Sequence, residues 1–245
     1  MAIERITGIV TSIVRHSDKQ NVVTLYTRER GRISLMSATG TGRAARMRNA
    51  RLQPLAVISA DVNFKLNREL QSLGAFAPAN VWHDIYFNPA KGAVAMFLAE
   101  FLNAFLRQSQ TDPAMWNFIY RSILDLDRTR RNVANRHIAF LAGLLSHAGI
   151  LPDLSVPPHS SGMLYFDMRE GVISAGIPLH KDILGPDAIP FILQLSRISA
   201  ANCHKFRFTS TQRRSCLLAL IHYYAVHYPG LSNLKTPDIL ADTFA

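Results

Sequence analysis

The chain has 245 residues, of which 48% are hydrophobic and 18% are charged, so it can bury a sizeable core and is not a disordered chain. Two cysteines exclude a disulfide framework, and the N-terminus lacks the apolar segment of a secretory signal. A net charge of +10 is typical of proteins that bind nucleic acid, and less often of proteins that bind an anionic membrane surface. We therefore expect a soluble cytoplasmic protein.

The positive charge is concentrated at the start of the chain. Residues 1–80 contain 12 Lys and Arg against 5 Asp and Glu, whereas residues 81–245 contain 15 against 12. Between Arg30 and Ala60 there are six arginines and no acid. Since a basic surface that meets only water usually contains acids as well, this stretch favours a nucleic-acid contact.

The first predicted strand covers "RITGIVTSIVRH" and is apolar on both of its alternating faces. Strict alternation places Ile6, Val10 and Val14 on one face and Ile9 and Ile13 on the other. A long strand with two apolar faces is typical of the first strand of a small barrel.

Four further strands follow within the first eighty residues. "NVVTLYT" and "RISLMS", joined by "RERG", predict an antiparallel hairpin. In "PLAVISADVNF" the apolar residues alternate toward one face, and "ELQSLGAF" predicts a fifth strand. Five antiparallel strands of this length predict an OB-type barrel, which we assign to residues 1–80. On its strands, Tyr26 and Phe64 are candidates for stacking on a nucleic-acid base, although the alternation favours a core position for Phe64.

The stretch "TGTGRAARMRNARLQ", residues 39–53, contains a G-x-G-x-x-A pattern at Gly40, Gly42 and Ala45. Asp61 follows at about the distance at which a dinucleotide-binding fold places its ribose-binding acid. That fold needs a parallel strand before the glycines, whereas here the preceding strand is one arm of a hairpin. We therefore interpret the stretch as a flexible basic loop between the third and fourth strands. A nucleotide-dependent enzyme that uses Gly40–Ala45 stays an alternative.

From Pro89 onward the period becomes helical, and we assign residues 81–245 to an α-helical domain with a small β-hairpin insertion. The hairpin, "LYFDMREGVISAG", is predicted to turn at Arg169–Gly171. The predicted helices cover "AVAMFLAEFLNAFL", "DPAMWNFIYRSILDLD", "NVANRHIAFLAGLLSHAG", "GPDAIPFILQLSRIS", "TSTQRRSCLLALIHYYAVHYP" and "TPDILADTF". The fold class is therefore α+β.

No catalytic motif is present, and we predict that the protein is not an enzyme. His222 and His227 are five residues apart rather than four, so they do not share a helix face as metal ligands would. Cys203 and Cys216 lack the C-x-x-C spacing and are predicted to be core residues.

Two basic clusters occur in the helical domain. The first is Arg128, Arg130, Arg131 and Arg136, and the second is Lys205, Arg207, Arg213 and Arg214. The first follows a helix C-terminus, where the helix dipole stabilises cations, so no ligand is needed to explain them. The second lies before and inside a helix start, where the dipole disfavours them, so it indicates a binding partner.

Several ordered stretches resemble the RecO family of bacterial recombination mediators. They are "TGIV", "SDKQNVVTLYTRERGRIS", "AMFLAEFLNAFLR", "YFDMREGVIS" followed by "PLH", "FRF" followed by "RR", and "YYAVHYPGLSNLKT". The resemblance runs from residue 3 to residue 244. It implies an N-terminal OB fold, a helical C-terminal domain, nucleoid association and no cofactor. It also implies binding of single- and double-stranded DNA, strand annealing, and loading of recombinase in the RecF pathway.

The resemblance also implies RecR and the acidic tail of single-stranded DNA-binding protein as partners, the latter held by one of the two basic clusters. The residues that we assign to DNA binding are Lys19, Arg28, Arg30, Arg32, Arg43, Arg46, Arg48, Arg51, Lys65 and Arg68. Some relatives have a four-cysteine zinc site around the hairpin. Here residues 157–182 contain only His159 and His180, so zinc is not expected. RNA binding by the barrel stays an alternative to DNA binding.

Overall fold

The computed structural model describes residues 3–40, 42–65, 68, 70–107, 110–157 and 162–244. The chain divides into two compact units, Met1–Thr129 and Arg130–Ala245. The boundary predicted after residue 80 falls inside the first unit and stays a prediction. No helix among the described residues is long and apolar enough to cross a lipid bilayer.

The first unit begins with a six-stranded sheet in the order β5-β3-β2-β1-β4-β6. Only three residues separate β5 from β6, so the two edges of the sheet are brought together and it closes into a barrel. The predicted fifth strand is thus two short pieces, one parallel to β3 and the other antiparallel to β4. The strands are β1 Ile3–Ser17, β2 Gln20–Thr27, β3 Gly31–Ala38, β4 Val57–Asn63, β5 Gln71–Ser72 and β6 Phe76–Pro78.

A β-bulge in β1 overturns part of the predicted strand pattern. The register with β2 shifts between Val10 and Ser12, and such a bulge moves all later side chains to the other face. Ile13 consequently packs against the barrel core, whereas Val14 is 59% exposed. In β4 the predicted alternation is confirmed, because its apolar residues Ile58, Ala60 and Val62 are buried in that core.

The predicted flexible basic loop does connect the third and fourth strands, but it contains a helix, α1 Arg43–Asn49, which the prediction lacked. At Gly40 an added Cβ would lie 2.7 Å from Cβ of Ala45, so close approach to α1 requires this glycine. The strand before α1 lies antiparallel to β2, and its parallel pairing with β5 involves only two residues. The parallel βαβ unit of a dinucleotide site is therefore not present around Gly40 and Ala45.

Two helices complete the first unit, α2 Pro89–Phe105 and α3 Pro113–Arg128. Asn88 caps α2, and Asp112 caps α3 by accepting from Met115 N, each just before a proline. The apolar stripe predicted for α2 is buried, including Phe97 and Phe101, and α2 packs against β1.

Asp127 near the end of α3 fixes the segment that leads into α2. Its carboxylate accepts hydrogen bonds from the backbone N–H groups of His83, Asp84 and Ile85 at 2.9–3.0 Å. Lys91 is 1% exposed and joins this network through an ion pair with Asp84 at 2.6 Å. Burial alone would raise the pKa of Asp127, but the three donors and Lys91 outweigh it and lower that pKa.

The second unit is helical with a three-stranded sheet. The hairpin predicted around Arg169–Gly171 is confirmed, and Gly171 adopts φ +68°, which favours glycine at the turn. The helices are α4 Arg136–His147, α5 Ile189–Leu195, α6 Ser210–His227 and α7 Thr236–Thr243, and the strands are β7 Tyr165–Asp167, β8 Val172–Ser174 and β9 Ile183–Leu184. Cys203 and Cys216 are buried, as predicted.

Candidate nucleic-acid interface

An open groove of about 460 Å³ crosses the barrel where β3 begins. Arg30 and Arg32 are its basic lining residues, and Ser34 and Gln71 are its polar ones. Phe64 lines it with an aromatic ring, while also packing against the barrel core. A concave surface with arginines, polar donors and an aromatic ring is suited to a phosphodiester chain with its bases.

Arg30 is held in place from two sides. Its guanidinium carbon lies 4.1 Å from the Phe64 ring centroid, and its Nη2 lies 2.6 Å from Oε2 of Glu4. The hydrogen bond to Glu4 is the main reason that the pKa of Arg30 is raised. Arg30 therefore stays charged, with its position set before any ligand arrives.

Gln71, which the sequence reasoning missed, organises the loop at the side of the groove. Its side chain accepts from the backbone N–H of Lys65 and donates to the carbonyl of the same residue, both at 2.9 Å. A second donation reaches the carbonyl of Arg68. The exposed Lys65 and Arg68 are thus attached to the groove through one buried amide. The contacts span only three to six residues along the chain, but no standard sequence motif marks them.

The residues assigned to DNA binding form two groups rather than one surface. Lys19 lies in the turn before β2, and its carbonyl accepts from Thr39 N at the far end of β3. β3 spans roughly 23 Å at 3.3 Å per residue, so this end is well separated from the groove. One group lies at the start of β3: Arg30 and Arg32 line the groove, Lys65 and Arg68 are attached to it through Gln71, and Arg28 lies in the adjoining turn. The far group is Lys19, Arg43, Arg46, Arg48 and Arg51.

Within α1, Arg43 and Arg46 are exposed, and Arg51 is exposed just after the helix. Arg48 is half-buried, and its guanidinium donates to the carbonyl of Ala38 at the end of β3. Arg48 therefore attaches the helix to the barrel, whereas the other three arginines face solvent.

The stacking hypothesis for Tyr26 is wrong. Tyr26 is 1% exposed, and its hydroxyl donates to the carbonyl of Asp112 at 3.5 Å. Alternation alone cannot distinguish the barrel's inner face from an outer face that helices cover, and Tyr26 lies on the covered face.

In the second unit, the second basic cluster lies in one region with the part of the first cluster that follows Thr129. Asn135 donates to the carbonyls of Cys203 and Phe206, at 3.1 and 2.8 Å. Asn132 donates to the carbonyl of His204, and Arg136 donates to that of Ala200. The segment before α4 and the segment before α6 are therefore joined. Arg130, Arg131, Lys205 and Arg207 are exposed on these two segments, and Arg128 belongs to the first unit.

Arg213 and Arg214 are engaged by the protein itself. Arg213 donates to Asn135 Oδ1, Phe244 O and Phe208 O at 3.0–3.1 Å. Arg214 pairs with Asp238 on α7 at 3.0 Å. These contacts favour a structural role for Arg213, while Arg214 is exposed but paired, so Lys205 and Arg207 are the exposed cations of the second cluster without a described carboxylate partner.

Around the hairpin, His180 Nε2 lies 3.2 Å from Asp167 Oδ2, while His159 lies outside the described residues. His222 faces Asp182 at 3.3 Å, and His227 Nε2 lies 3.0 Å from the carbonyl of Met168. Within the described ranges, no group of three or more His, Cys, Asp or Glu side chains is arranged to hold a metal ion.

A closed basic barrel of OB topology, followed by a helical region, defines a class of nucleic-acid-binding proteins. Two family models match the chain: "Recombination protein O N terminal" over residues 1–81 and "Recombination protein O C terminal" over residues 87–236. The chain therefore belongs to the RecO family of DNA repair proteins, and the resemblance in the sequence is confirmed.

Relatives match over almost the whole chain. The DNA repair protein RecO of Bacteroides fragilis is 30% identical over 243 residues, which cover 99% of both chains. RecO of Phocaeicola vulgatus is 29% identical over 246 residues, covering 99% of this chain and 100% of the relative. RecO of Porphyromonas gingivalis is 31% identical over 243 residues, covering 97% of both.

Proposed function

We propose that this chain binds single- and double-stranded DNA through its barrel, anneals complementary strands and helps to load recombinase onto DNA coated with single-stranded DNA-binding protein. It does so without catalysing a reaction. The observation that carries the proposal is the groove at the start of β3, which Arg30, Arg32 and Phe64 line together, with Arg30 stacked on the Phe64 ring.

The chemistry of this groove suits a backbone contact. Guanidinium groups bind phosphate oxygens through paired N–H donors, and release of counterions from the phosphates supplies most of the binding free energy. Such contacts do not depend on base sequence. A protein that anneals arbitrary complementary strands needs this property, because it must hold any strand and leave the base edges available.

The groove is tested by fluorescence anisotropy with a labelled oligothymidylate. Changing Arg32 to Gln removes one cation from the groove, and Arg121→Gln is the matched control, because Arg121 is an exposed arginine on α3 of the same unit. We expect weaker binding for the Arg32 variant only, with unlabelled DNA competing better than RNA of equal length. Equal affinity of both variants and the wild type would contradict a role for the groove.

The joined basic region of the second unit supports a protein partner. Arg130, Lys205 and Arg207 are exposed, and no described carboxylate pairs with them. Phe206 and Phe208 lie beside them, with ring centroids 5.8 Å apart. Cations next to aromatic rings suit an acidic peptide that ends in an apolar residue, such as the proposed tail of single-stranded DNA-binding protein.

This contact is tested with the isolated acidic peptide. Arg207→Glu reverses a charge inside the region, and Lys181→Glu reverses an exposed charge elsewhere in the same unit. We expect loss of peptide binding for the first variant and not for the second, with naked-DNA affinity kept by both. We propose RecR as a second protein partner on the basis of the family resemblance, and co-purification of the two proteins tests this contact.

A further inference from the structure

The residues around the start of α3 lie against the β2–β3 hairpin in the first unit. The hydroxyl of Thr111 donates to the carbonyl of Glu29 at 3.3 Å. The Arg28 guanidinium carbon lies 5.9 Å from the ring centroid of Trp116. Arg32 stands opposite Tyr26 in the β2–β3 register, and the Tyr26 hydroxyl donates to the carbonyl of Asp112, so Arg32 lies on the face of the hairpin that Asp112 covers. Arg107 is exposed just after α2.

Arg32 lies in this region with its charge uncompensated. Its Nε is buried and has no hydrogen-bond partner among the described residues. Burial, and after it the positive charge of Arg107, lower the pKa of Arg32. The two guanidinium groups therefore repel each other in the free protein.

Acids that lie in this part of the unit are committed elsewhere. Glu4 pairs with Arg30 at 2.6 Å, and the Glu29 carboxylate accepts from the backbone N–H of Thr7 at 2.8 Å. Asp61 on β4 is likewise paired, with Arg5 on β1 at 2.8 Å. Within the part of the chain that the structure describes, no carboxylate contacts Arg32 or Arg107.

We propose that Arg32 and Arg107 together bind one phosphodiester group of a nucleic-acid strand. The strand then continues from the barrel groove to Arg107, just after α2. This inference rests on the proposed function, and it adds a residue outside the barrel to the DNA-binding surface. A phosphate between the two guanidinium groups supplies the missing anion and accepts from their terminal N–H groups.

The arrangement predicts that Arg107 acts oppositely on stability and on binding. Without a ligand, its removal relieves the repulsion on Arg32, so the free protein becomes more stable. With DNA, its removal takes away one phosphate contact. Removing a surface arginine that binds no ligand should not both stabilise the free protein and weaken its binding to DNA.

The experiment compares wild type, Arg107→Gln and the control Arg121→Gln as full chains. We expect Arg107→Gln to raise the melting temperature of the free protein. For single-stranded DNA, the slope of log K against log salt concentration should fall by about 0.7, the value for one lost phosphate. Arg121→Gln should change neither quantity in this way. If Arg107→Gln matches Arg121→Gln in both readouts while the wild type binds DNA, this inference fails and the proposed function stands.

Inorganic pyrophosphate distinguishes the source of the phosphate. A rise in the melting temperature of wild type with pyrophosphate, reduced in Arg107→Gln, supports the anion pair when DNA binding is also present. If pyrophosphate gives that result and no DNA binds, the pair is a free-phosphate site, which overturns both the strand path and the proposed function. If neither ligand binds, both proposals fail together.

Discussion

The guanidinium of Arg30 lies over the Phe64 ring, 4.1 Å from its centroid, and that face of the ring is therefore covered by a cation. A base that stacked on this face would have to displace Arg30 from both Phe64 and Glu4. We infer that Phe64 contributes to DNA binding by positioning Arg30.

The first prediction follows from this pair. Phe64→Leu keeps an apolar side chain against the core but removes the aromatic support, so single-strand affinity should fall by about 0.5–1 kcal/mol. A true stacking position would cost about 1–3 kcal/mol. Anisotropy titrations of Phe64→Leu, Arg30→Gln and the double variant measure the coupling. If Phe64→Leu weakens binding equally in the Arg30→Gln background, Phe64 acts independently of Arg30.

The second prediction concerns the arginines of α1. Changing Arg43, Arg46 and Arg51 to Ala should flatten the salt slope for double-stranded DNA by roughly 2–3 units, at about 0.9 per phosphate. Arg48→Ala should instead cost about 1 kcal/mol of stability, because its bond to the Ala38 carbonyl is lost. Thermal unfolding and salt titrations separate the two effects. An unchanged slope in the folded triple variant would remove α1 from the DNA site.

The third prediction uses Asp127. Its pKa is lowered in the folded protein, so its stabilising contribution is complete above the unfolded pKa of about 3.9 and is lost as pH falls below that value. Asp127→Asn should destabilise the first unit by roughly 1–3 kcal/mol at neutral pH, because backbone donors lose their acceptor. The difference in the free energy of unfolding between Asp127→Asn and wild type should become smaller in acid.

Both tryptophans of the chain, Trp82 and Trp116, lie in the first unit. Urea unfolding followed by tryptophan fluorescence therefore reports on the unit that contains Asp127. A difference between wild type and Asp127→Asn that stays constant from neutral pH to about pH 3 would contradict this account of the carboxylate.

The fourth prediction concerns His137, which is 1% exposed in the second unit. Burial, and then the charge of Arg213, lower its pKa to about 3. The folded state thus holds neutral imidazole, while the unfolded chain takes up a proton below about pH 6.5. As pH falls from about 6.5 to about 3, the free energy of unfolding should decrease by about 1.4 kcal/mol per pH unit. Above about pH 6.5, His137 should have no effect on the pH dependence of stability.

His137→Gln should remove this pH dependence, whatever its own cost at neutral pH. Unfolding followed by circular dichroism at pH 7 and pH 5 measures the change, and tryptophan fluorescence serves as a control on the first unit. If the difference between His137→Gln and wild type is the same at both pH values, His137 does not titrate as the structure indicates.

Patterns that are local in the sequence predicted local structure well. The alternation in β4 and the period of α2 identified their buried faces, and proline after Asp112 identified the start of α3. These features depend on neighbouring residues, so one sequence is sufficient to find them.

Features that depend on distant contacts were missed. The bulge in β1 exchanges the faces of Ile13 and Val14 without any glycine or proline to mark it. The sequence predicted that Arg213 binds a partner, but its guanidinium donates to Asn135 Oδ1 and to the carbonyl of Phe244. A sequence does not distinguish an arginine that is exposed from one that donates to the protein's own carbonyls, because only the fold determines these contacts.

The central claim is that the barrel binds DNA through its phosphates. The most direct measurement is the affinity of the full chain for single- and double-stranded DNA across a salt series. We predict that log K falls linearly with log salt concentration for both forms, with a slope that Arg32→Gln reduces by about one phosphate contact. Absence of binding at low salt, or a slope near zero, would contradict the account.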